Sequence, residues 1–455
     1  MGKLTVSVTD FGAQPNIKTL QHDKFQSAID YCFEKGGGEV TVPEGEYLIG
    51  DIRLRSNITF HLLKNAVIKG SRNFEDFYNI ENDKYDPIKI DNTLVWKSPS
   101  NRTPEYANLW LYSGVSKWNV GLIRIMNSEN VEIIGEEGSV IDGQNCYCPG
   151  GEENYRGAHG ISVQFCKNLR FSGYTIRHTG NWAHCISDSK NIITENLTVL
   201  GGHDGVHYRG CDNVEVKNCK IKTGDDAVAG FDNINVHITD CELGSACSVF
   251  RFGGRNVLIE NCTACGPCEY PFRGSMTDEE KSAGAYTSKT ARYNTNAFFI
   301  YFVDETRKLR EKQGNIIVRN CKVKNIDRLL RINLSGIETW QKGTPPDDIT
   351  FENITADGMA KWINAYGNDE CAFTLRLKNI DYTMRDGFEK NSFMMLGKYK
   401  DISLENVKIH NFKGDTLIKT WGDLDKIHLD NFVCDGLDES KYIKKADDEF
   451  DVRYI

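Results

Sequence analysis

Short alternating segments that end in asparagine recur along most of this chain. In each segment β-branched or aliphatic residues alternate with polar ones until an Asn or Asp is reached. The segments read KNIITENLTV, DNVEVKNCKI, INVHITDCEL, RNVLIENCTA, GNIIVRNCKV, DDITFENITA and KDISLENVKI. Alternation with period two is typical of strands and not of helices. The pattern therefore predicts an all-β chain.

The repeating residue gives the length of one structural unit. It falls at Asn196, Asn218, Asp240 and Asn261, and after an interruption at Asn320, Asn353, Asn379, Asn406 and Asn431. The first steps are 22, 22 and 21 residues, too short for a propeller blade and without the signature of a leucine-rich repeat. We predict a single-stranded right-handed parallel β-helix, whose coils stack at about 4.8 Å. Residues that follow the repeating Asn or Asp should form an inward ladder of thiols, at Cys219, Cys241, Cys262 and Cys321.

Three further segments complete the predicted organisation. HDKFQSAIDYCFEKGGG has the apolar spacing of one amphipathic helix that ends in glycines, and such an N-terminal helix would cap the open end of the solenoid. Residues 72–121 and 265–313 interrupt the coils, and long excursions of this kind usually lie on the binding face. We expect one parallel β-helix domain over residues 1–455, with the cap and the first coil within residues 1–60.

Charge and composition limit the classes of molecule that this chain is expected to bind. The chain has 55 Lys and Arg against 64 Asp and Glu, a formal charge of −9, and no long basic run, which argues against nucleic acid and an anionic membrane. The N-terminus lacks a signal-peptide pattern, and no stretch approaches about eighteen consecutive apolar residues. The fifteen cysteines then fit reduced thiols in the cytoplasm. Sugars and small molecules remain as ligands.

The segment GDDAVAG sets two carboxylates, Asp225 and Asp226, side by side. A shift of 22 residues, which superimposes Asn196 on Asn218, also superimposes Asp204 on Asp226, so these two should stack on neighbouring coils with Asp225 beside them. Carboxylates held together resist ionising together, which lets one keep its proton as an acid while another acts as a base. The alternative interpretation is that these aspartates are simple turn residues beside glycine.

These residues carry a family resemblance. The chain resembles the polygalacturonase-like glycoside hydrolases of family 28, which are right-handed parallel β-helices, from VTDFGAQ through NWAHCISDSKNIITENLTV to DDITFENI. The Asn-Thr-Asp motif of that family stands here as GHD, ending at Asp204, and its Asp-Asp motif is kept at Asp225. Ser245 stands roughly at the histidine of the Gly-His-Gly motif, and the Arg-Ile-Lys motif stands as RIN, beginning at Arg331.

The resemblance implies an inverting hydrolase of O-glycosidic bonds. Asp225 would be the general acid that protonates the departing oxygen, and Asp204 and Asp226 would together hold and deprotonate the attacking water. Inversion needs acid and base roughly 6.5 to 9.5 Å apart, so the acid should lie across the substrate from the stacked pair. No metal or cofactor is expected.

The departures from the family motifs bear on the substrate. Arg331 would bind a uronate carboxylate, whereas Asn333 in place of the usual lysine removes half of that recognition. A cytoplasmic enzyme meets only sugars that have been imported, and these must be small. This favours exo action, with the excursions closing one end of the groove. We expect pectin-derived oligosaccharides, of galacturonide or rhamnogalacturonan type, or related plant oligosaccharides.

Further residues near the aspartates are predicted to bind the sugar. They are His203, His207, Arg251, Arg255, Trp182 and His184. Turn, surface or packing roles are the alternative for each of them. Two rival functions also stay open: a polysaccharide lyase whose calcium the aspartates would bind, and a non-catalytic carbohydrate-binding solenoid.

Overall fold

The computed structural model describes residues 4–77, 120–303, 309–334, 345–367, 370 and 372–447. The chain groups into two compact units, the first formed by Met1–Asp225 with Glu269–Arg292 and the second by Asp226–Cys268 with Tyr293–Ile455. Residues 78–119 of the first predicted excursion and 304–308 of the second lie outside the described residues. The organisation as one domain stays a prediction.

The first unit consists of short strands joined by turns. Its described strands are β1 (Thr5–Ser7), β2 (Gly38–Val42), β3 (Gly45–Ile49), β4 (Ile52–Leu54), β5 (Ile58–Leu62), β6 (Ala66–Gly70), β7 (Gly121–Met126), β8 (Glu129–Gly135), β9 (Val140–Asp142), β10 (His159–Gln164), β11 (Lys167–Ser172), β12 (Thr175–Arg177), β13 (His184–Ser187), β14 (Lys190–Glu195), β15 (Thr198–Leu200), β16 (Val206–Arg209), β17 (Asp212–Lys217) and β18 (Lys220–Thr223). Its described helices are α1 (His22–Glu34), α2 (Asp278–Ala283) and the 3-10 turns Val8–Phe11, Phe74–Asp76, Glu152–Asn154 and Arg273–Ser275.

From β4 onward each strand of the first unit pairs in parallel with the strand three places later. One row runs through β4, β7, β10, β13 and β16, a second through β5, β8, β11, β14 and β17, and a third through β6, β9, β12, β15 and β18. Three parallel rows wound by one chain are the coils of a right-handed parallel β-helix, so the predicted fold class is confirmed.

Parallel strands also form the second unit, with lengths from three to thirteen residues. They are β19 (Val228–Thr239), β20 (Glu242–Ser245), β21 (Ser248–Glu260), β22 (Thr263–Cys265), β23 (Ala297–Tyr301), β24 (Gly314–Arg319), β25 (Lys322–Lys324), β26 (Leu330–Asn333), β27 (Asp348–Met359), β28 (Ile363–Tyr366), β29 (Thr374–Met384), β30 (Met394–Gly397), β31 (Asp401–His410), β32 (Ile418–Thr420), β33 (Ile427–Cys434) and β34 (Ile443–Lys445), with 3-10 turns at Leu424–Lys426 and Glu439–Lys441. The described pairings are parallel, for example β21 with β23 and with β24.

The repeating asparagines mark the bends of the coils. All nine predicted positions have φ between 49° and 56°, the left-handed region that Asn tolerates better than most residues. Their side chains also bond along the unit: Nδ2 of Asn218 donates to Oδ1 of Asn196 at 2.6 Å, and Asn379 donates to Asn353 at 2.8 Å. A second ladder, missed in the sequence although Asn recurs there too, runs through Asn57, Asn130, Asn168, Asn191 and Asn213.

The predicted N-terminal helix is present. It spans His22–Glu34 and buries Phe25, Ala28, Ile29 and Cys32 completely. This apolar face packs on β1, β2, β4 and β5, and glycines at positive φ follow the end of the helix. Hence the helix covers strands at the beginning of the first unit, as a cap should.

The ladder of cysteines points inward, as predicted. Cys219, Cys241, Cys262 and Cys321 are each at most 2 % exposed, and the described cysteines of the chain are free thiols. Among the described residues we find no helix with both the length and the apolar character that a membrane span requires.

Candidate active site

Two of the three predicted catalytic aspartates lie in stacked loops of the first unit. Asp204 lies between β15 and β16, and Asp225 follows β18. The carbonyl of Asp204 accepts a hydrogen bond from the amide of Ala183 at 2.9 Å, and the amide of Asp225 donates to the carbonyl of His203 at 3.3 Å. The coil repeat therefore brings the two loops to neighbouring levels.

Glycine is required immediately before the paired carboxylates. A Cβ on Gly224 would lie 2.3 Å from the carbonyl oxygen of Pro271 and 2.6 Å from that of Gly202. The hydroxyl of Thr223 also donates to the carbonyl of Asp225 at 3.0 Å. The loop is thus packed closely against its neighbours, and it holds the backbone of Asp225 in one place.

The Asp204 carboxylate is held by a histidine that is itself held by a ring stack. Oδ2 of Asp204 lies 2.7 Å from Nδ1 of His207. The imidazole of His207 stacks on Trp182 with 3.9 Å between ring centroids and 7° between planes, and the guanidinium of Arg209 lies 5.7 Å from the Trp182 ring. Since Trp182 is buried on this histidine, it positions His207 and Asp204 rather than offering a face to a sugar.

Asp225 contacts a basic residue that the sequence reasoning missed. Nη2 of Arg156 lies 3.3 Å from Oδ2 of Asp225, and the same guanidinium lies 3.4 Å from Glu152 and 3.1 Å from Glu153. Burial by itself would lower the pKa of Arg156, but the three carboxylates outweigh it and hold that pKa well above its usual value. Three carboxylates therefore share one guanidinium.

Asp225 is the most exposed of the three predicted catalytic side chains. Its side chain is 13 % exposed, against 3 % for Asp204 and 1 % for Asp226. It is therefore the carboxylate best able to reach a group that enters from solvent.

His203 is a buried neighbour of Asp225. Its Nδ1 lies 4.0 Å from Oδ2 of Asp225, beyond hydrogen-bonding distance. Burial, together with the charge of Arg156, holds the pKa of His203 well below its usual value, so the imidazole is neutral at pH 7. The ring of Tyr155 covers it at 5.5 Å. This environment does not fit the prediction that His203 binds sugar hydroxyls.

The second predicted excursion contributes to this site. Residues 269–292 belong to the first unit, and Arg273 donates from Nη1 to the carbonyls of Thr179 and Gly180 at 3.4 and 3.3 Å. Burial lowers the pKa of Arg273 to about 10, which still leaves it a cation at pH 7. Lys281 lies 4.6 Å from the ring of Tyr155. The excursion thus packs on the loops that carry the aspartates.

The environment of His184 does not fit the prediction that it binds substrate. His184 is fully buried, its Nε2 lies 2.8 Å from the hydroxyl of Tyr174, and its ring meets the edge of Phe171 at 5.4 Å. Burial lowers its pKa to about 3. The physical reason is strand alternation: His184 is in register with Val206 on the inward face, whereas Cys185 and His207 share the other face.

In the second unit Asp226 is paired with a predicted arginine. Oδ2 of Asp226 lies 3.3 Å from Nη1 of Arg251, whose guanidinium also lies 4.0 Å from the ring of Phe302. Arg251 is in register with Ile300, which is in register with Arg331. The two arginines therefore share one row, two coils or about 10 Å apart.

A further arginine, missed in the sequence, lies beside Arg331. Nη1 of Arg328 donates to Oδ1 of Asn364 at 2.7 Å. Burial and the charge of Arg331 lower the pKa of Arg328 to about 10. Two guanidinium groups that are close enough to repel each other are suited to binding an anion.

Arg255, which was predicted to bind the sugar, belongs to a surface ion cluster. Its guanidinium lies 3.1 Å from Asp347, and Lys312 contacts the same carboxylate.

The predicted stacking of Asp204 on Asp226 involves both units of the chain. Asp204 belongs to the first unit and Asp226 to the second. Their stacking therefore stays a prediction.

Comparison with known proteins identifies a family. The sequence profile of glycosyl hydrolases family 28 matches residues 32–266, just over half of the chain. A probable polygalacturonase of Vitis vinifera is 26 % identical over 247 residues, which cover 51 % of this chain and 46 % of that relative. An exo-poly-alpha-D-galacturonosidase of Dickeya chrysanthemi is 24 % identical over 251 residues, which cover 49 % and 41 %. The chain thus spans less than half of the length of these two relatives.

Solved structures show the same fold. The exopolygalacturonase of Thermotoga maritima superposes with a TM-score of 0.60 at 18 % identity, covering 90 % of this chain and 92 % of that one. The family 28 exopolygalacturonase of Yersinia enterocolitica superposes with a TM-score of 0.55 at 15 % identity, covering 97 % and 78 %.

Proposed function

This chain belongs to glycosyl hydrolases family 28, and we propose that it hydrolyses glycosidic bonds in pectin-derived oligosaccharides with inversion at the anomeric carbon. The catalytic carboxylates are Asp204, Asp225 and Asp226. The observation that carries the proposal is that each of them has a basic side chain against one oxygen, at 2.7 to 3.3 Å, within a loop region matched by the family profile.

Asp225 is the general acid. It is the most exposed of the three carboxylates, so it can reach the oxygen of the leaving group. Contact with a guanidinium favours the ionised form, which opposes this role. However, Arg156 is shared with Glu152 and Glu153. No single carboxylate therefore has the whole charge of this guanidinium, and Asp225 would donate its proton to the leaving oxygen.

Asp204 and Asp226 together are the base. Both side chains are almost fully buried and each is held by its own partner, His207 and Arg251. Fixed carboxylates can orient a water molecule and remove its proton without first losing rotational freedom. Trp182 fixes the His207 ring and thereby the direction of the Asp204 carboxylate.

The sugar that the site accepts is a uronate. Arg251 and Arg331 lie in one row of the second unit, and Arg328 lies beside Arg331. The guanidinium of Arg328 supplies the second positive charge that Asn333 does not provide. A carboxylate accepts parallel hydrogen bonds from a guanidinium, which makes arginine suited to this recognition.

Exo action is the cleavage mode that we propose. The relative from Dickeya chrysanthemi carries the name of an exo-acting galacturonosidase. In addition, residues 269–292 pack on the catalytic loops of the first unit through Arg273 and Pro271. An insertion in that position would restrict the length of sugar on one side of the catalytic carboxylates.

The test is hydrolysis of a series of galacturonate and neutral plant oligosaccharides by the purified protein and by Asp225→Asn. Loss of the general acid should lower kcat on uronate substrates by about 10² to 10⁴. Asp430→Asn, which changes an exposed carboxylate on β33, is the matched control and should leave kcat unchanged. Proton NMR of the first product would give the anomeric configuration.

Three results would contradict the proposal. Full activity of Asp225→Asn would remove the acid assignment. An unsaturated product that absorbs in the near ultraviolet would indicate a lyase. Absence of turnover on every uronate, with binding retained, would favour a non-catalytic solenoid.

A further inference from the structure

An exposed tyrosine is stacked on a histidine in the first unit. The ring of Tyr286 lies 4.0 Å from the ring of His178 with 21° between planes, and Tyr270 meets His178 at 5.9 Å. Tyr286 is nevertheless 45 % exposed. Since His178 covers one face of the tyrosine, the exposed area lies on its other face and its edge. A large aromatic ring with one supported face and one open face is the geometry on which a sugar ring stacks.

The segment that carries Tyr286 is fastened to the coils. Nδ2 of Asn145 donates to the carbonyl of Ala285 at 2.8 Å, and the guanidinium of Arg72 donates to the carbonyl of Ala283. Two independent side chains therefore hold the backbone just before the tyrosine. A ring held in this way loses little conformational freedom when a ligand binds.

The charges around Tyr286 favour an anionic ligand. Burial of part of the ring raises the pKa of the Tyr286 phenol, and the charges of Asp142, Arg177, Arg72 and Lys69 also act on it. Arg177 is paired with Asp142 at 2.7 Å, and Lys69 with a glutamate at 2.7 Å. Arg72 instead contacts a neutral carbonyl, so its charge is not balanced by either of these two carboxylates. His178 adds no charge at pH 7, because burial lowers its pKa to about 4.

The stack lies at the beginning of the Asp204 loop. The amide of His178 donates to the carbonyl of Leu200 at 2.9 Å. A Cβ on Gly201 would lie 2.8 Å from Nδ1 of His178 and 3.2 Å from Tyr270. Gly201 precedes Asp204 by three residues, a backbone distance of at most about 11 Å. One oligosaccharide can therefore contact the stack and the catalytic loop together.

We propose that Tyr286, supported by His178 and Tyr270, is a second sugar-binding position that stacks on a uronate ring of the oligosaccharide away from the bond that is cleaved. Arg72 provides positive charge for its carboxylate. This inference rests on the proposed function for its ligand class, and it adds a binding position that the three aspartates and the arginine row do not provide.

The test compares a short and a long substrate. We expect Tyr286→Ala to raise KM for hexagalacturonate roughly three- to tenfold, the effect of one lost aromatic stack, with kcat unchanged and with kcat/KM for digalacturonate unchanged. Tyr286→Phe keeps the ring and should resemble the unaltered protein. Tyr31→Ala removes another exposed tyrosine of the first unit, 40 % exposed on α1, and should have no effect on either substrate.

Calorimetry separates this inference from the proposed function. Binding of hexagalacturonate to the unaltered protein and to Tyr286→Ala can be measured even if no turnover occurs. Binding weakened roughly three- to tenfold supports the stacking position, whatever the outcome for catalysis. Equal affinity of the two proteins, no detectable binding of hexagalacturonate, or an equal loss of kcat/KM on both substrates would overturn it.

Discussion

The imidazole of His184 should titrate far below the pH at which a histidine in contact with solvent titrates. It is fully buried, and its pKa is lowered to about 3 from the usual 6.5. The unfolded chain therefore binds a proton on this residue below pH 6.5, whereas the folded chain does not. The stability that depends on His184 is complete above pH 6.5 and is lost as the pH falls from there toward 3.

The size of the effect follows from that difference. Each pH unit below 6.5 costs about 1.4 kcal/mol in the free energy of unfolding for one such group, so at pH 4 the loss is roughly 3 kcal/mol. His184→Gln keeps a carbonyl that can accept from the hydroxyl of Tyr174 but cannot titrate. From pH 6.5 to 4 the free energy of unfolding of this variant should fall less steeply than that of the unaltered protein, by about 1.4 kcal/mol per pH unit.

Two measurements check this prediction. Urea unfolding at several pH values gives the slopes, and NMR titration of the ten histidine rings, assigned with the variant, gives the pKa of His184 directly. His428→Gln is the control, since that side chain is 59 % exposed and should change the slope little. A ring that titrates near 6.5, or a kcat/KM on uronate oligosaccharides that falls about tenfold or more in His184→Gln, would refute the argument that His184 is an interior residue.

Two further predictions concern the contacts that hold the fold. Arg156→Met leaves the carboxylates of Glu152 and Asp225 without their shared cation, so thermal or urea unfolding should show a loss of about 3 to 5 kcal/mol; an unchanged midpoint would mean that the cation is not needed. Asn353→Ala should cost about 1 kcal/mol more than Asn353→Gly, because both variants lose the ladder bonds but only alanine is strained at φ 55°. Equal unfolding free energies of those two variants would contradict this.

The sequence alone determined the features that depend on local pattern. A residue that ends a strand and bends the coil must adopt positive φ, and Asn does so with little strain, so its recurrence gave the coil length and the predicted fold. The amphipathic spacing of α1 and the position of the thiols after each bend are likewise local. The same period placed Asp204 and Asp225 in equivalent loops of successive coils.

Tertiary structure decided which side chains meet those aspartates. Arg156 precedes Asp225 by 69 residues and lies in an irregular loop with no period to reveal it. His184 and His207 looked alike in the sequence, yet strand alternation directs one to the interior and the other to Asp204. Tyr286 comes from an excursion whose return to the coils depends on Arg72 and Asn145, far away in the chain. The repeat determines the backbone because each coil follows from the sequence of its own residues. A catalytic environment depends instead on single contacts between residues far apart in the chain, which no repeat encodes.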